Sequence, residues 1–248
     1  MEKYTHTRDF QIKYREADFK DELKASGALG YMEEVAASGA DEIGLGYQDI
    51  QPKGFAFIIS STHFEFLRPM RVGEKLSVQT WPSIPSFVIF ERQYRFIDEQ
   101  DKTTLNAVSR WCLMDMQSGK VLPSKVIDNQ DYSTYNTDKV IESVQWKIPA
   151  FDVAGEEPKF TVTIANSEYD HNMHVNNTRY ADYCMNVFSI AELQDRRIAK
   201  FTINYAKQCR EGETLRFYRK ETESGEYLVQ GKNEKNETVV LAKISFVQ

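Results

Sequence analysis

One stretch of the sequence recurs in the second half of the chain and decides the fold. It reads Phe64-Glu65-Phe66-Leu67-Arg68-Pro69-Met70-Arg71-Val72-Gly73-Glu74-Lys75-Leu76, and its later copy reads Ile203-Asn204-Tyr205-Ala206-Lys207-Gln208-Cys209-Arg210-Glu211-Gly212-Glu213-Thr214-Leu215. An Arg, a Gly, a Glu and a Leu coincide when the two are superimposed, and apolar residues match at their starts. Recurrence on this scale is typical of duplicated structural units. The sequence therefore predicts one module repeated in tandem.

Each copy belongs to the same series of predicted elements, a helix followed by several strands. In the first half, apolar residues from Leu29 to Ile43 recur at helical spacing after Ser26, which is a predicted helix cap. Small residues on this helix would let it lie close to a sheet. Alternating apolar residues predict strands at 10–14, 55–66, 75–81, 87–97 and 106–116.

The same order returns in the second half. It predicts a strand at 160–164, a helix at 176–193, and strands at 200–206, 213–219, 227–233 and 238–246. The fold class is therefore α+β, with each half a long helix wrapped by an antiparallel sheet. We expect an N-terminal module at 1–130, a connecting segment at 131–157 with a short helix at 139–144, and a C-terminal module at 158–248.

A polar trio lies just before the second predicted helix. Asp170, Asn172 and His174 alternate, so an extended segment would point all three side chains to one side. Asn176 or Asn177 would then cap the helix. The unpaired backbone N–H groups of its first turn can stabilise a developing negative charge, which makes the trio a candidate catalytic site. The alternative is structural, because Asp and Asn are also common in turns and caps.

The two halves differ at this position. Where the second half has Asp170 and His174, the first has Asp18 and Glu22 at the corresponding distance before its helix. The first half lacks the Asn and the His. We therefore expect one active site per chain, in the second half.

These residues resemble a known family. The string Asp170-x-x-x-His174-Val175-Asn176-Asn177-x-x-Tyr180, together with segments 79–81 and 107–114, is similar to the acyl-acyl carrier protein thioesterases of the double hot-dog fold. The resemblance implies hydrolysis of the thioester between a fatty acyl chain and acyl carrier protein. It also implies an acyl pocket shaped by the first module and a site containing Asp170, Asn172 and His174. The family has an acidic residue before a Cys on the following strand, where this chain has Gln208-Cys209.

The chemistry of thioester hydrolysis requires an activated water and a stabilised oxyanion. Asp170 or His174 could accept the proton from water, and the sequence leaves that choice open. Gln208 could position water by hydrogen bonding, although an amide cannot act as a base. Cys209 offers a covalent alternative if its pKa were lowered, but we prefer to interpret it as a small buried residue.

Composition limits the other classes of function. The formal net charge of -6 argues against broad nucleic-acid binding. Three unpaired cysteines and four scattered histidines suggest neither disulfides nor a metal site, so no cofactor is expected. No apolar run is long enough for a membrane span, and the charged N-terminus lacks a secretory signal, so a cytoplasmic location is expected.

Partner and substrate surfaces have weaker sequence signals. A basic patch for the acidic carrier protein is predicted at Arg196, Arg197, Lys200, Lys207 and Arg210. An aromatic lining for the acyl chain is predicted at Phe55, Phe57, Phe64, Phe66, Phe87 and Phe90. The alternatives are an acyl-coenzyme A thioesterase and a non-catalytic acyl-binding protein, and a homodimer stays open.

Overall fold

A computed structural model describes residues 3–127, 131–170 and 172–247 of the chain. Its helices are α1 (Ala25–Glu42), α2 (Tyr47–Ile50), α3 (Asn177–Met185) and α4 (Ile190–Leu193). Its strands are β1 (His6–Gln11), β2 (Phe55–Phe66), β3 (Lys75–Pro82), β4 (Phe90–Asp98), β5 (Thr103–Asp115), β6 (Val121–Leu122), β7 (Phe160–Thr163), β8 (Arg197–Tyr205), β9 (Thr214–Glu221), β10 (Tyr227–Lys232) and β11 (Thr238–Val247).

The described strands form one antiparallel sheet with a two-fold pattern. Their order is β1-β3-β4-β5-β2-β8-β11-β10-β9-β7, with β6 beside β5. The second half therefore repeats the order of the first half in reverse, and the two halves join where β2 pairs with β8. This arrangement confirms the predicted tandem repeat.

The centre of the two-fold pattern lies at one residue pair. His63 and Thr202, which directly precede the two copies of the repeat, are partners in the β2–β8 register. Equivalent residues of antiparallel strands pair with each other only at a local two-fold axis, so the axis passes here. The Nδ1 atom of His63 lies 2.8 Å from Oγ1 of Thr202, which joins the halves by a buried hydrogen bond.

The glycine shared by the two copies has a conformational role. Gly73 and Gly212 have φ angles of 89° and 84°, a region that favours residues without a Cβ. Each donates its N–H over 2.9 Å to the equivalent carbonyl of its own half, Ile12 for Gly73 and Ile164 for Gly212. The turn between two strands is thus built identically in both modules.

Helix α1 confirms the predicted helix of the first half but not its cap. Lys24 is the N-cap, because its backbone is extended and its carbonyl accepts the Ala28 N–H over 3.0 Å. Its own N–H donates to the Glu16 carbonyl over 3.0 Å, which fixes where the chain enters the helix. Ser26 lies inside the helix instead, and its hydroxyl donates to Oδ1 of Asp182 on α3 over 2.6 Å. Small residues bring α1 close to the sheet: a Cβ on Gly39 would lie 3.1 Å from that of His6.

The predicted helix at 176–193 is wrong in its extent. Helix α3 ends at Met185, and a new helix, α4, begins after Ser189, whose hydroxyl and N–H bond with Glu192 in a capping box. Arg219 of β9 explains the break. Its guanidinium donates to the Val187 carbonyl over 3.1 Å and lies 4.6 Å from the centre of the Phe188 ring.

The connection between the halves contains no helix at 139–144, which corrects that prediction. It runs across the face of the sheet opposite the helices, where side chains of successive strands bind its backbone and side chains. Its bonds are Trp81 Nε1 to the Asp138 carbonyl, Val140 N–H to Gln93, Asn204 to the Trp146 carbonyl, Lys243 to Gln145, and Phe151 N–H to Gln230. These contacts replace the internal hydrogen bonds of a helix.

Candidate active site

The polar trio lies in a tight turn rather than in an extended segment. Tyr169 and Val175 pair as an isolated antiparallel bridge. Between them the Asp170 N–H donates to the His174 carbonyl over 2.8 Å, and Met173 has a φ of 58°. The expectation of three side chains pointing to one side of an extended strand is therefore wrong. His171 lies outside the described residues.

The side chain of Asp170 holds this turn together. Its Oδ1 accepts the N–H of Asn172 over 2.8 Å and the N–H of His174 over 3.2 Å. A short acidic side chain closes turns readily in this way, and this preference prevents the extended conformation. The turn exposes Asn172 and leaves His174 half-buried.

The first half contains the same turn. Oδ1 of Asp18 accepts the N–H groups of Lys20 and Glu22 over 2.8 and 3.1 Å. The Asp18 N–H donates to the Glu22 carbonyl over 2.8 Å, and Asp21 has a φ of 59°. Glu22 therefore stands where the second half has His174, as the sequence comparison predicts, and Lys20 stands where it has Asn172.

Helix α3 begins directly after the turn and is capped by Asn176. Oδ1 of Asn176 accepts both the N–H and the hydroxyl of Thr178, over 2.8 and 2.6 Å. Because the first N–H groups of a helix have no partners within it, the turn lies beside a concentration of positive partial charge. An anionic intermediate would be stabilised there.

Gln208 lies in the loop after β8, next to the same turn. Two residues that follow Gln208 contact the turn and helix α3. The Glu211 N–H donates to the hydroxyl of Tyr169 in the turn over 2.7 Å, and Cys209 lies beside the hydroxyl of Tyr180 in α3. Gln208 itself is exposed. Within the described part of the chain, its side chain makes no hydrogen bond to the side chains of the trio.

Cys209 has the character of a buried structural residue. Its side chain is 1% exposed, and burial raises the pKa of its thiol, which the neighbouring Tyr180 hydroxyl offsets only in part. A thiol in this environment is a poor nucleophile, because the thiolate is the reactive form. The geometry therefore favours water over Cys209 as the nucleophile.

The two halves differ in how the turn meets the loop opposite. In the first half, Leu23 N–H donates to the Met70 carbonyl over 2.7 Å, Val72 N–H donates to the Asp21 carbonyl over 3.0 Å, and Glu22 forms an ion pair with Arg71 at 3.4 Å. In the second half, no backbone hydrogen bond joins residues 172–175 to residues 208–211. These bonds close the first-half junction; because residues 172–175 and 208–211 lack the two backbone bonds, we call the second the open junction.

The sheet also has an apolar surface on the side of the helices. Phe57, Ile59, Phe90 and Trp111 lie on the face that carries the helices and are half-buried. Helix α1 packs mainly over β1 and β3, further along the sheet. We call these four residues the inner groove. Phe57 and Phe90 from the predicted aromatic set contribute to it, whereas Phe64 is buried beside Phe201.

The predicted basic patch is wrong as a single surface. Lys200 pairs with Glu65 at 2.6 Å and Lys207 with Glu237 at 2.6 Å, so carboxylates compensate both charges. Strand β8 also separates Arg196, Arg197 and Lys200 from Lys207 and Arg210. The extended strand places neighbours in sequence far apart in space.

Among the residues that the structure describes, no group of three or more His, Cys, Asp and Glu side chains is placed to hold a metal ion. In the same residues, no helix is both long enough and apolar enough to cross a membrane.

Both halves of the chain match the domain models of one protein family. Residues 3–129 match the acyl-ACP thioesterase N-terminal domain, and residues 154–248 match the acyl-ACP thioesterase C-terminal domain. The chain therefore belongs to the acyl-ACP thioesterase family, which confirms the resemblance seen in the sequence.

Curated relatives are longer than this chain. The chloroplastic acyl-[acyl-carrier-protein] hydrolase FATB1 of Cuphea viscosissima is 23% identical over 141 residues, which are 55% of this chain and 34% of that protein. FATB3 of the same plant is 24% identical over 165 residues, which are 64% of this chain and 39% of that protein. The chain thus spans well under half the length of these relatives.

Solved structures share the whole architecture. An acyl-ACP thioesterase from Bacteroides thetaiotaomicron superimposes with a TM-score of 0.89 over 98% of both chains, at 24% identity. A 12:0-ACP thioesterase from Umbellularia californica gives 0.86 over 98% of this chain and 97% of the other, at 15% identity. These likenesses confirm the double hot-dog fold.

Proposed function

We propose that this protein hydrolyses fatty acyl-acyl carrier protein thioesters, releasing free fatty acid and carrier protein. The observation that carries the proposal is the open junction of the second half, where the Asp170 turn, the first turn of α3 and the Gln208 loop meet. The closed junction of the first half has the same backbone without Asn172 and His174. Membership of the acyl-ACP thioesterase family supports this reaction.

Each group has a role in the proposed reaction. Asp170 holds the turn, which presents Asn172 and His174 to the open junction. The Val175 N–H and the unpaired N–H groups at the start of α3 stabilise the oxyanion as water attacks the carbonyl carbon. Gln208 orients this water by hydrogen bonding, and the inner groove holds the acyl chain.

The acidic carrier protein needs cationic side chains near the junction. Arg179 in the first turn of α3 and Arg210 in the Gln208 loop are both exposed and flank it. We infer that they contribute to docking of the carrier protein. Coenzyme A carries the same thioester without that protein surface, so this docking would matter less for its thioesters.

The experiment is fatty acid release from a panel of acyl-carrier-protein thioesters and the matching coenzyme A thioesters. We expect turnover of the carrier-protein series to exceed that of the coenzyme A series, and we expect Asp170→Asn and His174→Ala to lower it while the protein stays folded. Equal or greater turnover of coenzyme A thioesters would identify the protein as an acyl-coenzyme A thioesterase. Binding without hydrolysis would identify it as an acyl-binding protein.

A further inference from the structure

Two backbone hydrogen bonds fasten the loop of the first half to its turn. The Leu23 N–H donates to the Met70 carbonyl over 2.7 Å, and the Val72 N–H donates to the Asp21 carbonyl over 3.0 Å. The backbone groups of the turn that face the loop are thereby occupied. The closed junction therefore leaves the Leu23 N–H no freedom to bind a substrate.

The equivalent loop of the second half is fastened by a side chain instead. The two copies of the repeat place Glu211 at the position of Val72, and Cys209 at the position of Met70. The Glu211 N–H donates over 2.7 Å to the hydroxyl of Tyr169, at the start of the turn. The same N–H group thus binds the turn in both halves, but its acceptor in the second half is a phenol oxygen and not a backbone carbonyl.

A second tyrosine hydroxyl lies beside the other residue of this loop. Tyr180 of α3 is 4% exposed, and its hydroxyl is next to Cys209. The Tyr205 ring lies 5.9 Å from the Tyr180 ring, centre to centre, at an angle of 73°, and holds it in place. Burial is the main cause that raises the pKa of Tyr180, and Cys209 adds to it, so the phenol keeps its proton at neutral pH. The loop is therefore held against a fixed, neutral hydroxyl group.

The first half has alanine at both of these positions. Ala17 corresponds to Tyr169, because each is the first residue of the isolated bridge in its turn. Ala28 corresponds to Tyr180, because each follows the aspartate of its turn by the same number of residues. Alanine has no polar atom in its side chain, so the first-half loop bonds directly to the backbone of the turn. In the described part of the chain, the two tyrosines thus occur in the half where both backbone bonds are absent.

We propose that Tyr169 and Tyr180 are positioning residues, whose hydroxyls hold the Gln208 loop in place of the two backbone bonds and keep the Val175 N–H for the substrate. Gln208 is then fixed next to the turn, where it orients the attacking water. The Val175 N–H, which is equivalent to the occupied Leu23 N–H, donates to the oxyanion and not to the loop. Neither tyrosine touches the thioester or exchanges a proton with it. This role rests on the proposed function.

A third tyrosine provides the matched control. Tyr183 of α3 lies next to Glu168, and in the first half the equivalent Tyr31 donates to the carboxylate of Glu16. Because this pairing recurs in both halves, it belongs to the structure that the two modules share. Tyr183→Phe therefore removes a buried hydroxyl from the same helix without removing a contact of the Gln208 loop.

The kinetic test is hydrolysis of acyl-carrier-protein thioesters by Tyr169→Phe, which keeps the ring and removes the acceptor of the Glu211 N–H. We expect kcat to fall by about tenfold with KM within about twofold, because the water and the oxyanion donor lose their positions while substrate binding is retained. We expect the same split between kcat and KM for Tyr180→Phe. Tyr183→Phe should keep kcat within about twofold, because it removes no interaction made in the transition state.

A double-mutant cycle shows whether Tyr169 acts through Gln208. Gln208→Ala removes the amide that the loop presents, so adding Tyr169→Phe should lower kcat much less than it does in the native protein. The combined loss should be at least about threefold smaller than the product of the two single losses, as for coupled residues. Losses that multiply within about twofold, as at independent sites, would overturn the positioning role.

Amide hydrogen exchange tests the anchoring of the loop without reference to activity. The Glu211 amide should be protected in the native protein and in Tyr183→Phe, and should exchange at least about tenfold faster in Tyr169→Phe. Unchanged exchange, or a kcat of Tyr169→Phe within twofold of the native value, would overturn the role of Tyr169 and leave the proposed function standing. Native protein that hydrolyses neither carrier-protein nor coenzyme A thioesters would overturn the proposed function, and the positioning role with it.

Discussion

At the scale of single residues, Asp18 and Asp170 stabilise equivalent turns in the two halves, and the residues around these turns differ. Asp18 and Asp170 each accept two backbone N–H groups within their turn. The residues carried by the turn differ: Glu22 pairs with Arg71 across the closed junction, whereas His174 is the equivalent residue at the open junction. The difference between the two halves therefore lies in the residues that the turn carries, because the backbone of the turn is the same in both.

This comparison predicts that the two aspartates contribute equally to stability. Asp18→Ala and Asp170→Ala should each lower the free energy of unfolding by about 1–2 kcal/mol, because each removes the acceptor of two N–H groups. Thioester hydrolysis should fall in Asp170→Ala and stay near the native rate in Asp18→Ala. Urea denaturation and turnover measured on both variants check this, and equal losses of activity would contradict it.

At the scale of elements, α1 contains two glycines in opposite environments. A Cβ at Gly27 would lie 2.8 Å from the backbone oxygen of Glu16, whereas the space at Gly30 is open. Gly27 is therefore required by the close approach of the preceding turn. Gly30 only weakens the helix.

Alanine substitutions at the two glycines should change the free energy of unfolding in opposite directions. Gly30→Ala should raise the free energy of unfolding by about 0.5–1 kcal/mol through helix propensity. Gly27→Ala should lower it by about 1–3 kcal/mol, since the new methyl group meets backbone that cannot move freely. Chemical denaturation of both variants measures the difference, and a stabilising Gly27→Ala would show that α1 is not packed as described.

The elements also show how far sequence reasoning reaches. The tandem repeat, most of the strand series and the Asn176 cap follow from local patterns, and the structure confirms them. The first predicted strand, 10–14, is wrong in its bounds, because β1 covers His6–Gln11 and a single helical turn follows at Tyr14–Glu16. The Asp170 turn does not, because Asp and Asn are compatible with both extended and turn conformations. The break after Met185 depends on Arg219 from a distant strand, which no local pattern contains.

At the scale of the whole molecule, the two-fold axis decides which residues can cooperate. The sequence indicates the polar trio but gives no sign that α1 of the first module faces α3 of the second. It also places five basic residues close together in sequence that β8 separates in space. The relative position of α1 and α3 follows only from the pairing of β2 with β8, which relates the two modules.

The central claim is that one hydrolytic centre exists per chain, at the open junction of the second half. The most direct test compares His174→Gln with Glu22→Gln, two equivalent positions changed to the same residue, in fatty acid release from acyl-carrier-protein thioesters. We predict a loss of about 100-fold or more for His174→Gln and a rate within about twofold of native for Glu22→Gln, with both proteins folded. Full activity in His174→Gln, or equal loss in the two variants, would contradict the account.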